Sequence, residues 1–317
     1  MILVLAGGVG AARFLKGLIQ VAPPADIVAV VNTGDDTELH GLSISPDIDT
    51  VTYTLADAID PTRGWGLRDE TWRAMEALAQ FEDVRPEQSQ AAPRWFNLGD
   101  KDLATHFYRT ARLREGATLL QVTDEVRRAF GVNVRILPMS NDSVRTRVHL
   151  EKETVSFQEY FVKLQHNVTV TGVDFAGAHN ATFIDPELIQ DAAHIIIAPS
   201  NPIVSIGPMR ALAGVDQALA QVRNKVVAIS PIVAGTALKG PADRMLLELG
   251  YEPTVLGVAG LYKEICATLI IDQQDAHLAG EVEKLGMECI VTDTIMSRPG
   301  VATSLAQCAL DAVHTRR

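Results

Sequence analysis

Five apolar residues, Ile2-Leu3-Val4-Leu5-Ala6, run directly into Gly7-Gly8-Val9-Gly10, after which Phe14, Leu15, Leu18 and Ile19 recur at helical spacing. A short continuous apolar run suits a strand buried on both faces of a parallel sheet, where helices cover each side. Pro23 and Pro24 stop the helix, and Ile27-Val28-Ala29-Val30-Val31 supplies a second strand of the same kind. Two parallel strands joined through a helix cross over right-handedly. This opening confines the chain to α/β architectures built on a mostly parallel sheet. His194 to Ala198 and Lys225 to Ile229 read as two more such strands, with shorter candidates at Leu269 to Ile271 and Cys289 to Val291. Residues of about 50 to 130 are helical in pattern and are expected to form a helical subdomain over the sheet. The whole of 1–317 then reads as a single α/β domain. Arg147 to Leu150 and Val155 to Phe157 flank the polar Glu151-Lys152-Glu153 and read as a hairpin.

The charge balance narrows the partners. Against 39 acidic residues stand 28 basic ones, a net charge of -11. Binding a nucleic-acid backbone needs clustered Lys and Arg, so nucleic acid is not the expected partner. The three cysteines have neither metal-knuckle nor redox spacing and read as small buried apolar residues. No apolar run has the length that spans a bilayer, and the expected setting is cytoplasmic.

In an open parallel sheet, ligands bind beyond the carboxyl ends of the strands, and the polar segments of this chain fall there. Gly8-Val9-Gly10-Ala11-Ala12-Arg13 carries the first two glycines of a dinucleotide fingerprint, with Arg13 in place of the third. Backbone N–H groups at such a turn cradle phosphates, although the same glycines also serve a plain strand-to-helix turn. The loop lacks the Lys-Ser/Thr pair of a P-loop. Asn32-Thr33-Gly34-Asp35-Asp36 follows the second strand, and Ser45-Pro46-Asp47-Ile48-Asp49-Thr50 comes soon after. Ser45 there is placed to cap a helix with Pro46 in its first position. Four carboxylates so close in sequence repel one another unless a cation sits among them, and oxygen ligands select magnesium or a similar hard ion. Trp95-Phe96-Asn97 offers a flat heterocycle a stacking face and a hydrogen-bonding amide. Asp100 is placed to cap the following helix, where Asp102 and His106 read as a surface carboxylate–histidine pair. Pro199-Ser200-Asn201-Pro202 sets small hydroxyl and amide groups where phosphate oxygens need donors, and the loop from Ser230 to Gly235 resembles it.

In this order these segments resemble the 2-phospho-L-lactate transferases of coenzyme F-420 biosynthesis, called CofD in archaea and FbiA in mycobacteria. Further matching segments are Arg63-Gly64-Trp65-Gly66, the run from Leu98 to His106, Ile136-Leu137-Pro138-Met139-Ser140, Phe157-Gln158-Glu159 and Ser230-Pro231-Ile232. Ala11 and Asn141 depart from the family pattern. The resemblance implies a Rossmann-like enzyme, commonly a homodimer, that uses magnesium. It implies transfer of a phospholactyl-type group, derived from 2-phospholactate, phosphoenolpyruvate or 3-phosphoglycerate, from a guanosine diphosphate-linked donor to a hydroxyl of the deazaflavin Fo, with release of GMP. Asp35, Asp36 and Asp49 are then the catalytic acids, Asp35 and Asp49 the metal ligands, and Asp49 and Asn97 the contacts to Fo. Gly7, Gly8, Gly10, Ser200 and Asn201 would serve the nucleotide. Two other readings share the opening unit: an NAD-dependent oxidoreductase, disfavoured by Arg13 and the acids, and a nucleotide-sugar-binding regulator of the YvcK type, expected to lack the paired acidic motifs.

Overall fold

The apolar runs become strands because both their faces are covered. In the computed structural model, which describes residues 1–89, 91–93 and 95–314, every residue of β1 (Ile2–Ala6) and β2 (Ile27–Val31) is buried. Helix α1 (Gly8–Leu18) joins them, burying Phe14, Leu15 and Leu18. A short hairpin, β3 (Thr37–Leu39) with β4 (Leu42–Ile44), leads into α2 (Pro46–Leu55). Helices α3 (Arg73–Ala79), α4 (Asp100–Arg114) and α5 (Leu119–Ala129) follow, before the chain returns as β5 (Arg135–Pro138). An antiparallel sheet of β6 (Arg145–Leu150), β7 (Thr154–Ser156) and β8 (Val170–Ala176) precedes β9 (His194–Ile197) and β10 (Val226–Ile229). A second hairpin, β11 (Ile232–Val233) with β12 (Thr236–Ala237), leads to β13 (Thr268–Asp272) and β14 (Glu288–Thr292).

Seven strands form the central sheet in the order β14-β13-β10-β9-β1-β2-β5, all parallel. The order reverses direction at β1: the chain moves to one side through β2 and β5, then to the other through β9, β10, β13 and β14. That reversal opens a crevice between the loops after β1 and β9, the place where such sheets bind ligands. Register fixes which loops meet there. Ala6 pairs with Val31 and Leu5 with Ile197, so Gly7, Asn32 and Pro199 leave the sheet at one edge. Two apolar cores lie on the two faces of the sheet, one around Leu3, Val30 and Ile195, the other around Val4, Ala29 and Ile196. Of the cysteines, Cys266 is buried as expected, whereas Cys289 and Cys308 are half-buried. No helix among the described residues is long and apolar enough to cross a membrane.

Candidate functional site

The glycine turn is built by a close approach. A Cβ on Gly10 would stand 2.1 Å from the Pro199 carbonyl oxygen, so only glycine lets α1 sit against the loop after β9. Gly8 adopts φ +71°, a left-handed conformation that favours glycine. The Gly7 N–H donates to Ser200 Oγ at 3.3 Å, joining the loop after β1 to the loop after β9. Asn201 is held locally: its Oδ1 accepts from the Ile203 N–H at 2.9 Å. All five of Gly7, Gly8, Gly10, Ser200 and Asn201 line one cavity of about 970 Å³.

The four aspartates divide into differently compensated groups. Asn32 is fully buried after β2; its Nδ2 donates to Asp47 Oδ2 at 3.0 Å and its Oδ1 accepts from the Gly34 N–H. Asp47 also accepts from the Gly8 backbone, so a carboxylate stands beside the glycine turn. Burial nonetheless pushes Asp47 up to about 6. Burial, then the charges of Asp47 and Asp36, hold Asp35 well above the usual carboxylate range. Burial lifts Asp36 to about 7. Oδ1 of Asp35 and Oδ1 of Asp36 are buried without a hydrogen-bond partner. Ser45 occupies the N-cap position of α2, but its hydroxyl donates to Asp36 Oδ2 at 2.8 Å instead of capping the helix.

Asp49 has its own counter-ion. Arg109, only 1 % exposed, pairs with both Asp49 oxygens through Nη1 at 3.0 Å and through Nη2. Arg109 Nη1 also lies 3.1 Å from His106 Nδ1. A guanidinium only donates, so Nδ1 accepts and the ring proton sits on Nε2, which is 3.3 Å from Asp102 Oδ2. Tyr53 donates its hydroxyl to Asp102 Oδ1 at 2.7 Å. Burial pulls Asp102 up, but the neighbouring His106 ring and then the Tyr53 hydroxyl outweigh it and hold the carboxyl below its usual range. Asp102 and His106 are therefore not a surface pair: both are buried, facing inward with Arg109. Asp100 is likewise not the cap; Gly99 takes that position, and Asp100 accepts from the Thr71 N–H. Asp49, Asp102 and His106 each place one ligand atom within 4.8 Å of the others and form a possible metal-binding triad.

Sequence reasoning missed Arg109, although Asp102, His106 and Arg109 lie at i, i+4 and i+7 on one helix, a polar stripe that marks a shared face. The aromatic wall is also wider than expected. Phe96 and the exposed Asn97 line the cavity, as does Trp65, 42 % exposed. Arg63 stands over both Trp65 and Trp72, at 5.0 and 4.7 Å from their ring centroids, and pairs with Glu70 at 2.9 Å. Trp95 meets Phe96 edge-on, with centroids 5.8 Å apart.

An open parallel sheet whose switch-point crevice joins a glycine turn to buried acids defines a Rossmann-like α/β enzyme. The chain belongs to the CofD family of transferases: the family model described as "2-phospho-L-lactate transferase CofD" matches residues 2–307. It is 40 % identical over 323 residues to the phosphoenolpyruvate transferase of Streptomyces griseus, covering 100 % of this chain and 99 % of that protein. It is 39 % identical over 321 residues to the phosphoenolpyruvate transferase of Nocardia farcinica, covering 98 % and 94 %. To the enzyme of the same name from Mycolicibacterium smegmatis it is 38 % identical over 328 residues, covering 98 % of each. Among solved structures, a Bacillus halodurans protein described as a member of the UPF0052 family shares the fold, with a TM-score of 0.60 at 15 % identity and 98 % of both chains covered.

Proposed function

We propose that this transferase moves the enolpyruvyl-bearing phosphoryl group of a guanosine diphosphate-linked donor onto the side-chain hydroxyl of the deazaflavin Fo, in coenzyme F-420 biosynthesis. The observation that carries the reading is the juxtaposition, in one cavity, of a glycine turn and buried acids whose charge is not compensated, facing an aromatic wall. The enolpyruvyl group, among the three acids the family resemblance allows, is supported by the relatives named phosphoenolpyruvate transferase. The hydroxyl oxygen of Fo bonds to the phosphorus carrying the three-carbon acid, the bond from that phosphorus to the guanylate oxygen breaks, and GMP leaves. The hydroxyl proton passes to a base.

The residues divide the work. Gly7, Gly8 and Gly10, with Ser200 and Asn201, hold the donor's nucleotide and phosphates. Trp65 and Phe96 flank the deazaflavin ring, and Asn97 gives it a directed hydrogen bond. Magnesium fits Asp35 and Asp47, whose charges repel one another and leave a buried oxygen unpartnered. A hard cation of this kind keeps waters and takes only one or two carboxylates. Asp49 lines the same cavity but already carries Arg109, which suits it to orienting Fo more than to binding a metal alone. When bound, the cation would neutralise charge on the phosphate oxygens. Asp36 keeps Ser45, and with it the start of α2, in place. Positioning supplies much of the rate in phosphoryl transfer. Purified protein given Fo, magnesium and each of the enolpyruvyl, lactyl and glyceryl donors should use the enolpyruvyl donor fastest. Absence of transfer with all three would overturn the reading.

A further inference from the structure

The acids leave one charge feature of the cavity unexplained. Arg13 of α1 and Lys239 of the loop after β12 both line it. Partial desolvation first, and then the charge of Arg13, pull the Lys239 ammonium below its ordinary pKa. Among the described residues neither has a carboxylate within ion-pair distance, in a chain rich in acids. Lys239 Nζ lies 3.0 Å from the point where a Cβ on Gly64 would stand, and Val9 Cγ1 lies 3.7 Å from the same point. The ammonium and the Val9 side chain of the glycine turn therefore flank the same space, which Gly64 leaves open.

Two cations held together without a partner repel, and an oxyanion between them removes that cost. A P-loop carries its phosphate-binding lysine inside the loop. Here the turn from Gly7 to Gly10 has none. We infer that Lys239, with Arg13, supplies the missing cationic group from the far half of the chain, making a diphosphate subsite at the N-terminus of α1. That the diphosphate belongs to a guanosine nucleotide rests on the proposed function; the subsite itself does not.

Lys239→Gln and wild type should be titrated by calorimetry with inorganic pyrophosphate, GDP and guanosine, each with magnesium. Lys239 is exposed, so the variant should fold as wild type does. A charge-assisted contact of this kind predicts about a tenfold loss of affinity for pyrophosphate and GDP, with guanosine unchanged. At alkaline pH, wild type should take up protons on binding pyrophosphate, seen as a dependence of heat on buffer ionisation enthalpy, and the variant should take up fewer. Equal pyrophosphate affinity in both proteins, or a loss of guanosine as large as that of GDP, would overturn the subsite. Lys239-dependent pyrophosphate binding in a protein that ignores GDP would uphold the subsite and remove the guanosine donor.

Discussion

Arg109 holds both carboxylate oxygens of Asp49 across sixty residues of sequence, and both side chains are buried. One of the acids that sequence alone leaves repelling its neighbours is thus neutralised by the protein itself. Removing one partner of such a pair strands a buried charge, which costs about 3–5 kcal/mol. Asp49→Asn should lose stability on that scale in urea denaturation. A loss of activity in this variant therefore needs a stability measurement beside it.

Asp35 should behave in the opposite way. Its carboxyl is raised by burial and by Asp47 and Asp36, so its ionised form strains the metal-free protein. Asp35→Asn should raise the melting temperature at pH 8 in chelator, while abolishing both stabilisation by magnesium and transfer. A lower melting temperature would show that the ionised carboxylate has a partner in the protein.

The same groups set a pH dependence. Asp36 at about 7 and Asp47 at about 6 bind protons more tightly in the folded chain than in the unfolded one. Their contribution is full below the unfolded carboxylate range and is lost as pH rises through about 6 and about 7. Metal-free protein should therefore lose on the order of a few kcal/mol between pH 4 and pH 8. Saturating magnesium should flatten the profile at its alkaline end. Stability that climbs with pH across this window would contradict the placement of the acids.

Gly10 separates packing from ligand binding. A side chain there meets the Pro199 carbonyl, so Gly10→Val should destabilise the protein by about 3 kcal/mol before any ligand is added. Chemical denaturation of the ligand-free variant measures this. Unchanged stability would mean that α1 and the loop after β9 are free to separate.

Asn97 reports on the acceptor alone. It is exposed at the cavity beside Phe96, so Asn97→Ala should leave the fold intact. Loss of its hydrogen bond predicts Fo binding weaker by about 1–3 kcal/mol, with GDP binding unchanged. Fluorescence titration of Fo checks it, and equal affinity would move the acceptor off this wall.

The sheet was legible wherever burial on both faces leaves an unbroken apolar run, as in β1, β2, β9 and β10. β5 escaped notice as a strand because Arg135 is exposed and Pro138 closes a run of only four residues. β8 was hidden because its residues after Val170 are mostly half-buried, which leaves no clear alternation to read. The polar loops were legible by their place after strands, since topology brings such loops together. Their pairings were not. Asn32 with Asp47 and Arg109 with Asp49 are contacts between elements that no local spacing announces. His106 was misjudged because a carboxylate four residues before a histidine is common on helix surfaces, and only Arg109 at the next turn shows that this face is inward.

The most direct test of the central claim is the stoichiometry of products. With Fo, magnesium and the guanylylated enolpyruvyl donor, chromatography with mass detection should show GMP and an enolpyruvyl phosphodiester of Fo rising in equal amounts. No GMP should form when Fo is omitted. Release of GDP in place of GMP, or GMP formed without consumption of Fo, would contradict transfer of the enolpyruvyl-bearing phosphoryl group to the deazaflavin.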